Sequence, residues 1–281
     1  MESHVQDHYN SDNLTENIKT ALIRAGKDID NLDPKDIAII DQLHTGGAPA
    51  SIKLLKKASL AHGSQVLDAG CGIGGSSRLI AGQFNCNVIG VDLAQKFIEA
   101  AQFLTRCTGF EDKVKFQQGS IMEMDFQENT FDNVLCQHVL MNIEDKAAAI
   151  KEFYRVLKPG GKLILHEVTK GSSNANLHFP LPWASKASIS FLQSWNTLAD
   201  ILEKQDFKTK LYSDESDTSL FLWERVKNAG EKRVFSTGNI GSGLVFGENA
   251  RFFGENMYNN LKDNSVCIIE SVQEKGYVTG L

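Results

Sequence analysis

The decapeptide Val66-Leu67-Asp68-Ala69-Gly70-Cys71-Gly72-Ile73-Gly74-Gly75 constrains this chain more than any other stretch of it. An apolar strand, Gln65 to Asp68, runs into a glycine-rich turn. A helical pattern follows at once from Ser76 to Phe84, with Leu79, Ile80 and Phe84 facing inward. Glycines at such a turn let the backbone approach a ligand with no Cβ in the way, and strand-to-helix turns are where α/β sheets bind ligands. Asp68 sits two residues before the first glycine. A carboxylate at that strand end suits a cationic ligand such as a sulfonium amino acid.

The pattern continues as alternating strands and helices. Asn87–Asp92 reads as a second strand. Ala94–Cys107 reads as a helix with Phe97, Ala101 and Leu104 on one face. Val114–Phe116 and Phe131–Cys136 read as strands three and four, Asp145–Leu157 as a helix closed by Pro159-Gly160-Gly161, and Lys162–His166 as strand five. Strands separated by helices of this length imply βαβ units and a parallel sheet. Ahead of them, residues 1–62 read as helices. One opens at Asp33-Pro34, an N-cap followed by proline at N1, and carries Ile37, Ile39 and Ile40. After the Gly46-Gly47 break a second presents Ile52, Leu55 and Ala58. Residues 171–190 show no clear period. A helix over 194–205, a strand around Leu211, helices over 219–262 around the glycine-rich stretch Gly238 to Gly247, and a last strand Val266–Val272 follow.

Composition narrows the function classes. The chain has 281 residues, 42% of them hydrophobic, with 29 basic and 35 acidic side chains and a net charge of −6. A duplex nucleic-acid binder carries a basic footprint, which this chain lacks, and its scattered lysines and arginines form no membrane-binding patch. The five cysteines are far apart and odd in number, which points to reduced thiols in a cytoplasmic compartment and argues against a disulfide framework or zinc site. The polar start Met1-Glu2-Ser3-His4-Val5-Gln6-Asp7 does not read as a signal peptide, and no apolar run approaches the ~18 residues of a membrane span.

Gly70-x-Gly72-x-x-Gly75 also matches the dinucleotide fingerprint, a weak signal alone. Asp92, ending the second strand, would hold ribose hydroxyls of a nicotinamide dinucleotide or of S-adenosylmethionine alike. Beyond these points, Val66 to Gly75 resembles motif I of the class I S-adenosylmethionine-dependent methyltransferases. Phe116-Gln117-Gln118-Gly119-Ser120-Ile121 resembles their adenine-side loop, Phe126 to Leu135 their approach to strand four, and Phe153 to Lys162 their turn into strand five. Asp41-Gln42-Leu43-His44-Thr45-Gly46-Gly47 resembles a segment of the UbiE-like and sarcosine/dimethylglycine methyltransferase-like small-molecule branch that folds over the methionine end of the cofactor.

The resemblance implies a Rossmann-like, doubly wound, seven-stranded α/β sheet, mostly parallel with an antiparallel last strand. Residues 1–62 would be a helical cover, 63–170 the cofactor-binding core, and 171–281 an acceptor lid with the final strands of the same domain. It implies S-adenosylmethionine as methyl donor, no metal, and cofactor contacts from His44, Asp68, Gly70, Cys71, Gly72, Gly74, Asp92, Leu93, Ser120, Ile121 and Gln137. Ser120 stands where many members carry an acid. Methyl transfer from a sulfonium needs alignment and exclusion of water, and for some acceptors a positioned base. Strands four and five end in Cys136-Gln137-His138-Val139-Leu140-Met141-Asn142 and Leu165-His166-Glu167-Val168, so His138 and Glu167 are the candidate bases. In sarcosine/dimethylglycine-type relatives an acid stands at the position of His138 and a histidine at that of Asn142. His178, Trp183 and Asn142 are candidate acceptor contacts, with Phe246, Arg251, Phe252 and Phe253 around them, the adjacent phenylalanines as core. No Asp/Asn-Pro-Pro-aromatic tetrad or Pro-Cys nucleophile of DNA methylation is present. The expected activity is methylation of a small-molecule acceptor, a small amine such as sarcosine or dimethylglycine or an O or C atom of a metabolite, with a homodimer left open. The alternatives are a nicotinamide-dependent oxidoreductase and a homologue that binds the cofactor without chemistry.

Overall fold

In the computed structural model, the structure describes residues 13–229 and 240–277. The reading of Met1–Asp7, and that of Gly238 at the head of the glycine-rich stretch, lie outside them.

Among the described residues three helices come first: α1 (Leu14–Arg24), α2 (Pro34–Asp41) and α3 (Gly47–Lys57). Asp33 caps α2 by accepting from the Lys35 amide with Pro34 at the first turn, as its sequence dictates. Ile37 and Ile40 are buried, while Ile39 remains 43% exposed. β1 (Gln65–Ala69), α4 (Gly75–Phe84), β2 (Asn87–Asp92), α5 (Gln95–Cys107) and β3 (Val114–Gln118) follow. Then come β4 (Phe131–Gln137), α6 (Lys146–Val156) and β5 (Leu157–Lys170). The remaining elements are α7 (Trp195–Lys204), β6 (Phe207–Asp214), α8 (Ser216–Ala229), the one-turn α9 (Gly243–Phe246), α10 (Ala250–Lys262) and β7 (Val266–Lys275).

The seven strands form one sheet in the order β3-β2-β1-β4-β5-β7-β6. β1 to β5 pair in parallel, and β7 lies antiparallel to both β5 and β6. Alternation along each strand sends side chains to two cores. Leu67 and Ala69 of β1 join Val134 and Cys136 of β4, Leu163 and Leu165 of β5, and Phe153 of α6. Val66, Leu135 and Ile164 face Leu54 and Leu55 of α3 and Ile80 of α4 on the other side. A third cluster packs Leu14, Ile18 and Leu22 of α1 on Phe97 and Leu104 of α5.

One element differs from the sequence reading. β5 begins at Leu157, inside the expected end of the preceding helix, and includes Pro159-Gly160-Gly161. Backbone pairing with the segment before β4 starts early, Thr130 N donating to Val156 O at 2.8 Å. A register shift between Phe131 and Asn133 then absorbs the Pro-Gly-Gly turn.

A buried ion pair pins the helical cover to the sheet. Arg78 of α4 donates to Asp41 at 2.9 Å, to the Ile73 carbonyl at 2.9 Å, to Thr105 Oγ1 at 3.0 Å and to the Ala101 carbonyl at 3.3 Å. Both side chains are almost solvent-free, at 2% and 4% exposure. Gly75 makes this contact sterically feasible, because a Cβ there would lie 1.9 Å from the Asp41 carbonyl oxygen. Removing one partner of such a pair leaves an uncompensated buried charge. Arg78→Met should therefore lower unfolding free energy by roughly 3–5 kcal/mol in urea titrations. A loss below about 1 kcal/mol, the range of a surface pair, would contradict the pinning role.

Candidate active site

The carboxyl ends of β1, β2 and β4 open onto a cavity of about 210 Å³, roofed by Asp41, Leu43, His44, Pro182, Trp183, Val245 and Phe246. Its geometry begins with the glycine loop after β1. Gly70 and Cys71 donate their amides to the Val91 carbonyl at 2.8 and 3.0 Å. Asp92 accepts from the Gly72 amide through one oxygen and from the Ala94 amide through the other, both at 2.9 Å. One carboxylate thereby ties the loop to the first turn of α5. Gly72 adopts φ +53°, and a Cβ there would meet nothing within 4 Å, so this backbone presents an open face to the cavity it lines.

Asp68 is 2% exposed and lines the same cavity. Its Oδ2 accepts from Ser77 Oγ at 2.5 Å. Burial lifts its pKa to about 6, and burial likewise raises Asp92. The two carboxylates thus stand beside a cavity whose remaining walls are mostly apolar.

Gln137, the last residue of β4, is a hub. Its Oε1 accepts from Ser76 Oγ at 2.8 Å. Its Nε2 donates to Ser51 Oγ and to His166 Nδ1, each at 2.9 Å. Ser51 Oγ in turn lies 2.8 Å from His44 Nε2. Three imidazoles thereby gather, with ring centroids 4.8 Å apart for His138–His166, 5.9 Å for His44–His166 and 6.3 Å for His44–His138. Burial depresses all three, His44 to about 4 and His166 to about 3, with His138 held well below the usual histidine range. Each ring is therefore neutral at physiological pH. His138 takes φ +54° and donates its amide to the His166 carbonyl at 2.8 Å. His138 lines the cavity, and its Nε2, which is buried, has no hydrogen-bond partner among the described residues.

Glu167 corrects one expectation. Its side chain is not part of the cavity wall. It is fully buried, accepts from the Val139 and Leu140 amides at 3.1–3.2 Å through both oxygens, and takes the Cys136 thiol at 3.3 Å. Alternation along β5 points it away from the cavity, while its neighbour His166 points toward Gln137. Glu167 therefore anchors the turn that carries His138 and is not placed to take a proton from an acceptor. Burial raises its pKa to about 7.

Of the other expected residues, His44, Gly70, Cys71, Leu93, Ser120 and Ile121 line the cavity, as do Asn142 and Trp183. Asn142 Nδ2 donates to the Trp183 carbonyl at 2.7 Å, fastening the 181–191 segment to the turn after β4. Gly74 is not in the wall: it caps α4, packed against Phe116 and Arg78. His178 is half-exposed beside Asp263 at 3.5 Å, outside the cavity, because the 178–180 backbone is tied to Asn256 and Asn260 of α10. Phe246 lines the cavity and Phe253 is buried, but Phe252 is 41% exposed and Arg251 lies outside.

Ser51, Ser76 and Lys146 carry no local signal in the sequence. The last is a buried amine that donates to the carbonyls of Ile143 at 2.6 Å and Phe191 at 2.5 Å, and burial lowers it to about 8.

A glycine loop after β1, acidic ends on β1 and β2, and an antiparallel β7 inserted between β5 and β6 define the class: a Rossmann-like methyltransferase fold. Residues 60–220, more than half of the chain, match the family model described as a methyltransferase domain, and the chain belongs to that family. It is 28% identical over 188 residues to phosphoethanolamine N-methyltransferase 3 of Arabidopsis thaliana, covering 67% of this chain and 38% of that protein. It is 39% identical over 114 residues to the sterol 24-C-methyltransferase of Saccharomyces cerevisiae, covering 41% and 30%. This chain thus spans well under half the length of these curated relatives. Geranyl diphosphate C-methyltransferase from Streptomyces coelicolor, solved with Mg2+, geranyl diphosphate and S-adenosyl-L-homocysteine, superposes with a TM-score of 0.66 at 17% identity over 98% of this chain and 97% of that one. Among the described residues no helix is long and apolar enough to cross a membrane.

Glu167 supplies a pH signature. It stays protonated in the fold up to about 7 but ionises near 4.5 when unfolded. Its contribution to stability is therefore present below pH 4.5 and lost as pH rises through about 7. Between pH ~5 and ~8 the wild type should lose on the order of 1–3 kcal/mol relative to Glu167→Gln in parallel urea titrations. A difference independent of pH would show that the carboxylate does not titrate in this window.

Proposed function

We propose that this chain binds S-adenosylmethionine in the cavity at the ends of β1, β2 and β4, and that it is an enzyme transferring the methyl group to a small-molecule acceptor. The observation that carries this reading is Asp68, a buried carboxylate lining the cavity at the end of β1 beside the open backbone of Gly72. A dinucleotide site has no use for an anion there. A sulfonium amino acid has two cations to place beside it.

The residues present fit that cofactor. Asp92 and the Gly70–Gly72 backbone would face the ribose and the amino-acid end, Leu93, Ser120 and Ile121 the adenine. His44 and Gln137 would close over the methionine side. S-adenosylmethionine supplies an electrophilic methyl carbon on a positively charged sulfur.

The chain's own residues would do the rest. Trp183, Pro182, Val245 and Phe246 roof the cavity with apolar surface, and fewer waters beside the reacting atoms strengthen the charge interactions there. His138, in the cavity wall with an Nε2 unpartnered among the described residues, would turn that nitrogen to the acceptor. A neutral, buried imidazole accepts a hydrogen bond from an N–H or O–H and so orients the nucleophile's lone pair. It takes the proton only as the nucleophile gains positive charge on bond formation. Positioning supplies most of the acceleration in such a design. Asn142 and Trp183 form the acceptor side of the wall. The histidine at 138, where glycine-betaine-type relatives carry an acid, and the apolar roof favour an acceptor less polar than sarcosine or dimethylglycine. We place the activity in the cytoplasm, on the strength of five unpaired thiols, four of them buried.

Calorimetric titration with S-adenosylhomocysteine tests the site. Asp68→Ala and Asp92→Ala should each weaken binding by on the order of 1–3 kcal/mol. Affinity for the cation should also fall as pH drops through about 6, where Asp68 protonates. Unchanged affinity in both variants, or tight NADH binding with no S-adenosylhomocysteine binding, would refute the assignment. With an acceptor in hand, His138→Gln should lower kcat and leave cofactor affinity intact. A kcat like that of the wild type would leave alignment alone as the mechanism.

A further inference from the structure

The cofactor cavity is not closed on its acceptor side. Leu43, His44, Pro182 and Phe246 line it, and the same four residues line a second, larger groove of about 870 Å³. The two spaces adjoin at a neck formed by these four residues. The groove runs between α2–α3 on one side and α8 and α10 on the other. Its apolar wall is built by Ala38 and Ile39 of α2, Ala48 and Pro49 of α3, Leu222, Trp223 and Val226 of α8, and Phe253 of α10, with polar and charged side chains between them.

Charge is sorted along this path. The cofactor cavity is walled by Asp41, Asp68 and Asp92. The groove carries Lys35, Arg225, Lys227 and Arg251 against a single carboxylate, Glu255, among the described residues. Lys227 is engaged over the Tyr258 ring at 4.3 Å. Lys35, Arg225 and Arg251 make no ion pair among the described residues. Arg251 only rests its guanidinium 4.7 Å from the Phe252 ring. On a chain of net charge −6, three cations without an ion-pair partner among the described residues, lining one groove, mark a place for an anion.

We propose that the groove is the acceptor's binding site, and that the acceptor is an elongated molecule with an apolar body and an anionic end group, a carboxylate or phosphate. The body lies on Leu222, Val226 and Phe253, the anion meets Arg225 and Arg251, and the reacting end passes the neck to His138. This deepens the methyltransferase reading and rests on it for the word acceptor. The ligand class itself stands on the groove.

The test uses the full chain saturated with S-adenosylhomocysteine and titrates hexyl, octyl and decyl phosphate below their aggregation concentrations, with decyltrimethylammonium as the cationic control. Affinity should rise by up to about fourfold per methylene buried, the equivalent of ~0.8 kcal/mol. Decyl phosphate should bind at least ~10-fold more tightly than the ammonium at low salt, and the preference should shrink as salt is added. The double variant Arg225→Gln, Arg251→Gln should erase the head-group preference and keep the chain-length gain. Leu222→Glu should remove the chain-length gain with S-adenosylhomocysteine affinity unchanged, which shows that the fold is intact. No dependence on chain length, or a head-group preference that survives the double variant, overturns the proposal. So does co-sedimentation with phosphatidylglycerol vesicles when monomeric decyl phosphate fails to bind, which would make the groove a membrane contact. Decyl phosphate binding by a chain that fails to bind S-adenosylhomocysteine supports the groove and removes the cofactor reading alone.

Discussion

Both oxygens of the Asp92 carboxylate are committed to backbone amides, one from Gly72 in the loop after β1 and one from Ala94 at the start of α5. Two neighbouring βα turns are thereby locked to a single side chain at the end of β2. The Val91 carbonyl, one residue earlier, takes the amides of Gly70 and Cys71 and completes the lock. Everything else about the cavity is placed relative to this joint. The loop can present bare backbone because glycine allows φ +53° at position 72, and α4 begins where the loop ends. Arg78 on α4 then reaches Asp41 and draws the N-terminal helices over the opening. A carboxylate used this way is costly to bury, and the amides that bond it are what make the burial tolerable.

Across the cavity a different device sets the chemistry. The turn after β4 is held from both ends by buried groups of opposite character. Glu167 receives its leading amides, at Val139 and Leu140, while Lys146 donates to the Ile143 carbonyl behind it. Lys146 also reaches the Phe191 carbonyl, and Asn142 the Trp183 carbonyl, so the same turn fastens the roof. His138 sits at the head of this turn in the left-handed region, at the cavity wall, with its Nε2 buried and unpartnered among the described residues. Strain of this kind persists only where surrounding bonds over-determine it, and Glu167 and His166 supply those bonds. Of the two candidate bases in the sequence, Glu167 is thus the support for the turn that carries the other, His138.

The legible parts of this fold were those written in local pattern. Strand–glycine–helix at residues 65–84, the capped proline start of α2 and the alternating order through β5 all follow from short-range rules, and the structure repeats them. Pairing across the sheet was harder to read. Nothing local in Leu157–Gly161 announces a strand, since Pro159 and two glycines argue against one. Only the partner segment before β4 makes it so. At the site, the residues of the glycine loop and the strand ends could be named because their spacing carries the chemistry. Ser51, Ser76 and Lys146 could not, because each works through a partner dozens of residues away. His178 misled for the converse reason: a histidine beside aromatics reads like a pocket residue, but the backbone around it is bound to Asn256 and Asn260 and faces solvent.

What joins these observations is a division of labour by charge and burial. In the proposed function, carboxylates collect where the cofactor's cations would be held, neutral imidazoles where a nucleophile would be oriented, and cations line the apolar groove. The central claim is the first of these, that the cavity beside Asp68 and Asp92 is built for a sulfonium cofactor. The most direct measurement is a crystal structure of the chain grown with S-adenosylhomocysteine. The account predicts the ribose hydroxyls on Asp92, the amino-acid end beside Asp68 and the sulfur facing the His138–Asn142 wall. A ligand lodged elsewhere, or one whose sulfur points away from His138, would contradict it.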